Sequence, residues 1–66
     1  MAYVSARYIK APDEKFVEVT DRFAIAVDDF GVEWSVDVPN CQTGDWLRYI
    51  DGGGTVEPYV EAGDGV

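Results

Sequence analysis

The sequence predicts an α+β domain: a small antiparallel sheet of about four strands in a meander, with one short helix packed on it. Three observations carry that expectation. Val32, Trp34, Val36 and Val38 alternate with Glu33, Ser35 and Asp37, the period of two that a half-buried strand shows. Phe23, Ile25 and Val27 repeat that period just upstream. Between the two sets, Asp28-Asp29-Phe30-Gly31 supplies acidic turn residues and a glycine able to take positive φ, so 22–38 reads as a β-hairpin. Downstream, Trp46, Leu47 and Ile50 share one stripe of a helix expected over roughly residues 41–50, and Gly52 stops it.

The remaining elements follow in order. Tyr3 to Ile9 is rich in β-forming residues, and Pro12-Asp13-Glu14 makes a turn. Lys15 to Thr20 then sets Val17 and Val19 on one face and Phe16, Glu18 and Thr20 on the other, a fourth strand. Pro39 ends the last strand. Asn40 or Thr43 is placed to cap the helix, and Asp45 suits the positive end of its dipole. The run Gly52-Gly53-Gly54 permits a tight reversal before Thr55 to Val60, where Pro58 argues for an edge position or a loop. Residues 61–66 are expected to fray.

Residues 1–66 form one domain, and a chain of this size buries only about 60% of its unfolded surface. Cys41 is alone, and with no histidine and no second cysteine there is neither an internal disulfide nor a zinc site. The core must therefore suffice, in a monomer or a homodimer. At 47% hydrophobic residues the chain is too apolar for a disordered acidic tail.

Thirteen Asp and Glu against five Lys and Arg give a net charge of −8. That charge is repelled by phosphate backbones and by anionic lipid, so neither nucleic acid nor membrane is expected as a direct partner, and a basic protein surface is. No stretch approaches the roughly 18 apolar residues that cross a bilayer, and the N-terminus lacks a basic region leading into an apolar run, which predicts a cytoplasmic chain.

Catalysis finds little to work with. Asp13 with Glu14 and Asp28 with Asp29 lie at turns, where water keeps carboxylates ionised, and Cys41 has no histidine to serve as its base. Asp45, Asp51 and the glycine run lack the alternate spacing of a calcium loop, and the same run lacks the Lys-Ser or Lys-Thr of a phosphate loop. No enzyme, cofactor or metal site is expected. Trp34 and Trp46 are expected in the core. An exposed tryptophan in such acidic surroundings would anchor a protein partner rather than stack on a base.

If Val32, Trp34, Val36 and Val38 face inward, Glu33 and Asp37 face water on one side, about 13 Å apart. Glu18 and Asp21 on the neighbouring strands, Asp28 and Asp29 at the hairpin tip, and Asp13 and Glu14 at the first turn extend this face. Such a face has two uses. It keeps a protein soluble, or its spaced carboxylates imitate the phosphates of DNA and occupy a groove of lysines and arginines.

Two resemblances bear on the choice. Val38-Pro39-Asn40, Asp45-Trp46-Leu47-Arg48-Tyr49-Ile50 and Gly53-Gly54-Thr55-Val56-Glu57-Pro58-Tyr59 resemble the C-terminal ends of short bacteriophage tail-associated proteins, over about a third of the chain. Val56 stands where proline is common there and Asp51 where alanine is. In size, charge and absence of enzyme motifs the chain is also similar to the anti-CRISPR proteins that act as DNA mimics against type I complexes. That likeness implies a non-enzymatic inhibitor in the host cytoplasm, binding the DNA- or PAM-binding groove of a Cascade subunit through Glu33 and Asp37, then Glu18, Asp28 and Asp29. The first likeness implies the alternative, a tail structural or assembly accessory protein.

Overall fold

Two turns of one design organise residues 2–60, the part that the structure, a computed structural model, describes. Each opens with an aspartate whose carboxylate accepts the backbone N–H groups two and four residues on. Asp13 accepts from Lys15 at 2.8 Å and Val17 at 3.1 Å, and Asp28 from Phe30 at 2.8 Å and Val32 at 2.9 Å. In each, the fourth residue has positive φ, Phe16 at 61° and Gly31 at 82°, and its N–H donates to the aspartate's carbonyl at 3.0 Å. A turn closed by a left-handed residue makes a three-residue hairpin loop. These turns join β1 (Tyr3–Pro12), β2 (Glu18–Asp28) and β3 (Glu33–Asp37) into an antiparallel sheet of order β1-β2-β3.

Glycine takes the left-handed conformation freely, whereas a side chain there crowds the next carbonyl at a cost of about 1–2 kcal/mol. Phe16 is 89% exposed, so no packing offsets that cost. Phe16→Gly, which also loosens the unfolded chain, is expected to gain about 0.5–1 kcal/mol of stability net. The check is a higher denaturation midpoint at unchanged slope.

The expected fourth strand is the first part of β2. Only Asp21 separates Thr20 from Arg22, too few residues to reverse a chain. The strand instead runs through with a bulge, where the pairs Ile9↔Phe23 and Ala11↔Val19 set three residues of β2 against one of β1.

Register decides which side chains meet. Val27 pairs with Glu33, Ile25 with Ser35 and Phe23 with Asp37, while Ala26 and Ala24 pair with Trp34 and Val36. A four-residue loop over 28–31 would pair Val27 with Val32 and bring both apolar sets to one face. The shorter loop shifts β3 by one residue, and a shift of one turns every side chain over. Phe23, Ile25 and Val27 therefore lie on the face opposite to Trp34 and Val36.

The helix, α1 (Gly44–Asp51), is shorter than expected at its start. Thr43 occupies the N-cap position in extended conformation, but its hydroxyl makes no capping bond and lies 3.5 Å from the Cys41 sulfur. Asn40 donates to Asp37 instead. At the other end the glycines act as expected: Gly52 N–H donates to the Arg48 carbonyl and Gly54 N–H to that of Tyr49. A Cβ on Gly54 would lie 2.5 Å from the Tyr49 carbonyl oxygen, so only glycine fits there.

Ala6, Ala26, Val36 and Trp46 form the buried cluster, with Tyr3, Val38, Cys41, Tyr49 and Val56 packed against it. The alanines leave a shallow floor that admits the indole of Trp46, which is 2% exposed. Tyr3 meets that ring edge-on at 6.0 Å, and Tyr49 flanks it at 5.6 Å. The inward stripe of the helix is thus Trp46 and Tyr49. Leu47 and Ile50, expected to cover the sheet, are exposed. The helix backbone approaches β1 and neither of the other strands. For that reason Val32 and Trp34, expected inside, are exposed, while Val36 is buried and Val38 half-buried.

Residues 55–60 are tied to the outer edge of β1 by one parallel bridge: Tyr8 N–H donates to the Glu57 carbonyl, and Glu57 N–H to that of Ala6. The expected frayed tail, 61–66, lies outside the described residues.

Candidate functional site

The sheet face away from the helix carries three rows: Ser5, Val27, Glu33; Arg7, Ile25, Ser35; and Ile9, Phe23, Asp37. Glu33 and Asp37 lie on it, as the alternation predicts, but neither is a free carboxylate. Arg7 on β1 donates to Glu33 on β3 at 3.0 Å. The outer strands of a three-stranded sheet are about 10 Å apart, so this pair spans the middle strand above Ile25 and Val27. Arg22 donates to Asp37 at 3.2 and 3.4 Å and to Glu14, with its guanidinium 5.2 Å from the Phe23 ring centre. Arg22, followed by Asn40, holds the Asp37 carboxyl below the usual carboxylate range, against some desolvation, and Arg22 itself is pushed up by Asp37 and Glu14. The acidic face expected from the sequence is therefore an apolar stripe roofed by two arginine pairs.

Asp28 departs furthest from expectation. It is 3% exposed, on the helix side, and its second carboxylate oxygen accepts the indole N–H of Trp34 at 2.9 Å, in addition to the two turn amides. The Trp34 bond first, then the amides of Val32 and Phe30, lower its pKa, while desolvation works in the other direction. A carboxylate with three donors inside a turn is structural, and it offers no oxygen to a partner.

Glu18 and Asp29 remain exposed, as does Asp21. Glu18 opens β2 and Asp29 follows its end, so they stand at opposite ends of the sheet and do not form one patch. Asp29 also exchanges hydrogen bonds with Ala2, donating its amide N–H at 2.8 Å and accepting at 3.3 Å. Among the described residues all three arginines are in ion pairs, the third being Arg48 with Asp45 at 2.6 Å.

Ala2, Tyr3, Asp45, Arg48, Tyr49 and Gly52–Gly54 line an open cleft of about 450 Å³. Tyr49 donates its hydroxyl to the Thr55 carbonyl at 2.6 Å, and burial, then the neighbouring Cys41, Asp45 and Asp28, push the Tyr3 phenol up, so it stays protonated. Its one acidic lining residue, Asp45, is paired with Arg48. No set of three Cys, Asp or Glu side chains able to hold a metal ion occurs among the described residues, and none of their helices is long and apolar enough to cross a membrane.

Sequence reasoning missed the two arginine pairs and the outward position of Trp34. The available signal was the placement of the arginines, which sit within strands and helix beside apolar residues instead of in turns. No protein-family profile, curated protein or solved structure matches the chain.

Proposed function

We propose that this chain is an acidic, non-enzymatic binding domain that occupies the nucleic-acid groove of a basic partner protein. In particular, we propose a phage inhibitor of a type I CRISPR-Cas complex, acting in the host cytoplasm on the DNA- or PAM-binding groove of a Cascade subunit. One observation carries the reading: the arginines are consumed in internal ion pairs, and residues 23–47 contain five carboxylates and no lysine or arginine. Three of those five, Glu33, Asp37 and Asp45, take up Arg7, Arg22 and Arg48, so the exposed surplus at Asp29, Glu18 and Asp21 has no arginine to answer it, and a basic surface supplies the counter-charge.

The contact residues differ from those first expected. Glu33 and Asp37 answer to Arg7 and Arg22, and Asp28 is enclosed, which leaves Asp29, Glu18 and Asp21 to face a partner. The tail-assembly reading rests its contact on the helix of Trp46 and Tyr49 and on residues 55–60; the core uses both side chains and residues 55–60 are bonded to β1, so it has less support.

Reversing Glu33 and Asp37 would set lysines against Arg7 and Arg22 and confound binding with folding. The cleaner test is Glu18→Lys with Asp29→Lys. Affinity for a purified type I complex, measured by competition with PAM-containing duplex DNA, is expected to fall about tenfold or more, with an unchanged circular dichroism spectrum. Unchanged competition by the folded double variant would sink the charge-mimic reading.

A further inference from the structure

We infer that the tip of the β2–β3 hairpin is the docking end of this domain, where Phe30 and Trp34 enter an apolar pocket rimmed by lysine and arginine on the partner protein. The inference rests on the proposed basic partner and names the anchor. Three residues in five expose apolar side chains here: Phe30 at 80%, Trp34 at 44%, and Val32 between them in sequence. Single exposed hydrophobes are ordinary. What sets these apart is that one enclosed carboxylate fixes the backbone that carries Phe30 and Val32, through their amides, and holds the Trp34 indole directly.

Burying a carboxylate is unfavourable unless its hydrogen bonds are complete, and here their completion holds the backbone of the tip and the indole of Trp34, a ring that contributes little to the core. The result is a Trp34 ring already oriented, and a Phe30 backbone already in place, before any partner arrives, which lowers the ordering cost of association. Tryptophan is also among the residues that dominate interface energetics. Because the helix backbone approaches only β1, no other helix or strand among the described residues covers this end of β3.

Charge selects the partner's chemistry. Asp29 is exposed beside Phe30, and no lysine or arginine occurs between Arg22 and Arg48. A second copy would bring the same negative hairpin against this one. A pocket with a basic rim complements both the aromatic pair and the carboxylates.

The test measures binding to the purified type I complex across a range of salt concentrations for the unaltered chain, Phe30→Ser, Trp34→Phe and Asp29→Lys. Phe30→Ser keeps every Asp28 bond and serves where Trp34→Phe, which loses the indole N–H, proves unstable. Phe30→Ser is expected to weaken binding about tenfold at every salt concentration, whereas Asp29→Lys reduces the salt dependence. Phe30→Ser and Trp34→Phe variants that are folded and bind like the unaltered chain overturn the anchor, while salt-dependent binding by the unaltered chain keeps the acidic-mimic reading. Salt-independent binding, insensitive to Asp29→Lys, overturns the basic rim and that reading together. Failure of the unaltered chain to bind overturns both. A dimer in sedimentation velocity that Phe30→Ser dissociates reassigns the tip to self-association.

Discussion

Trp46→Ala is expected to unfold the domain at 37 °C. The indole is the only large side chain in the buried cluster, and its partners Ala6 and Ala26 are too short to move into the space it would leave. Removing a buried aromatic costs about 3–5 kcal/mol where the site cannot collapse. A single core in a chain this short rarely supplies more than about 3–5 kcal/mol, so the loss takes most or all of it. Near-UV circular dichroism and a thermal scan decide the matter: a cooperative transition within a few degrees of the unaltered protein would show that Trp46 is not its core. Leu47→Ala, on an exposed residue of the same helix, is the control and should change little.

The second large effect is expected at Asp28. Asparagine has the same shape, and its carbonyl oxygen can still accept from Phe30 and Val32, but its amide nitrogen would then face the Trp34 indole N–H, donor against donor. Asp28→Asn should lower Tm by roughly 5–10 °C at pH 7. Its pH dependence has a definite sign. The folded pKa lies below the ordinary 3.8, so the stabilising contribution is complete above that value and disappears as pH falls through the folded one. Asp37, held down by Arg22 and Asn40, acts with the same sign. The variant should therefore lose less stability than the parent between neutral and acid pH. Parallel Tm curves for the two at every pH would remove Asp28 from this role.

Both effects arise where local signals in the sequence run out. The hairpin over 22–38, the helix after Pro39 and its stop at Gly52 were all legible, because turn residues, period and glycine act on near neighbours. The bulge in β2 was not, since it exists to match β1 across the sheet. Asp28 read as a solvated turn acid, and only the turn's repeat at Asp13, with Phe16 in place of Gly31, hints at a shared cap. Glu33 and Asp37 were correctly assigned to one face. Their partners, Arg7 and Arg22, stand 26 and 15 residues away in sequence and could not be paired by spacing.

The sequence by itself thus determined the class of the domain, the positions of its hairpin and helix, and a surplus of negative charge that directs any reading toward a basic partner. Tertiary structure alone decided which carboxylates carry that surplus. A three-residue loop shifted β3 by one position, the helix settled over β1, and two arginines crossed the open face. These are long-range events, in which one residue of register exchanges inside for outside. By them Glu33 and Asp37 acquired counter-charges, Asp28 was enclosed, and Trp34 was left facing solvent.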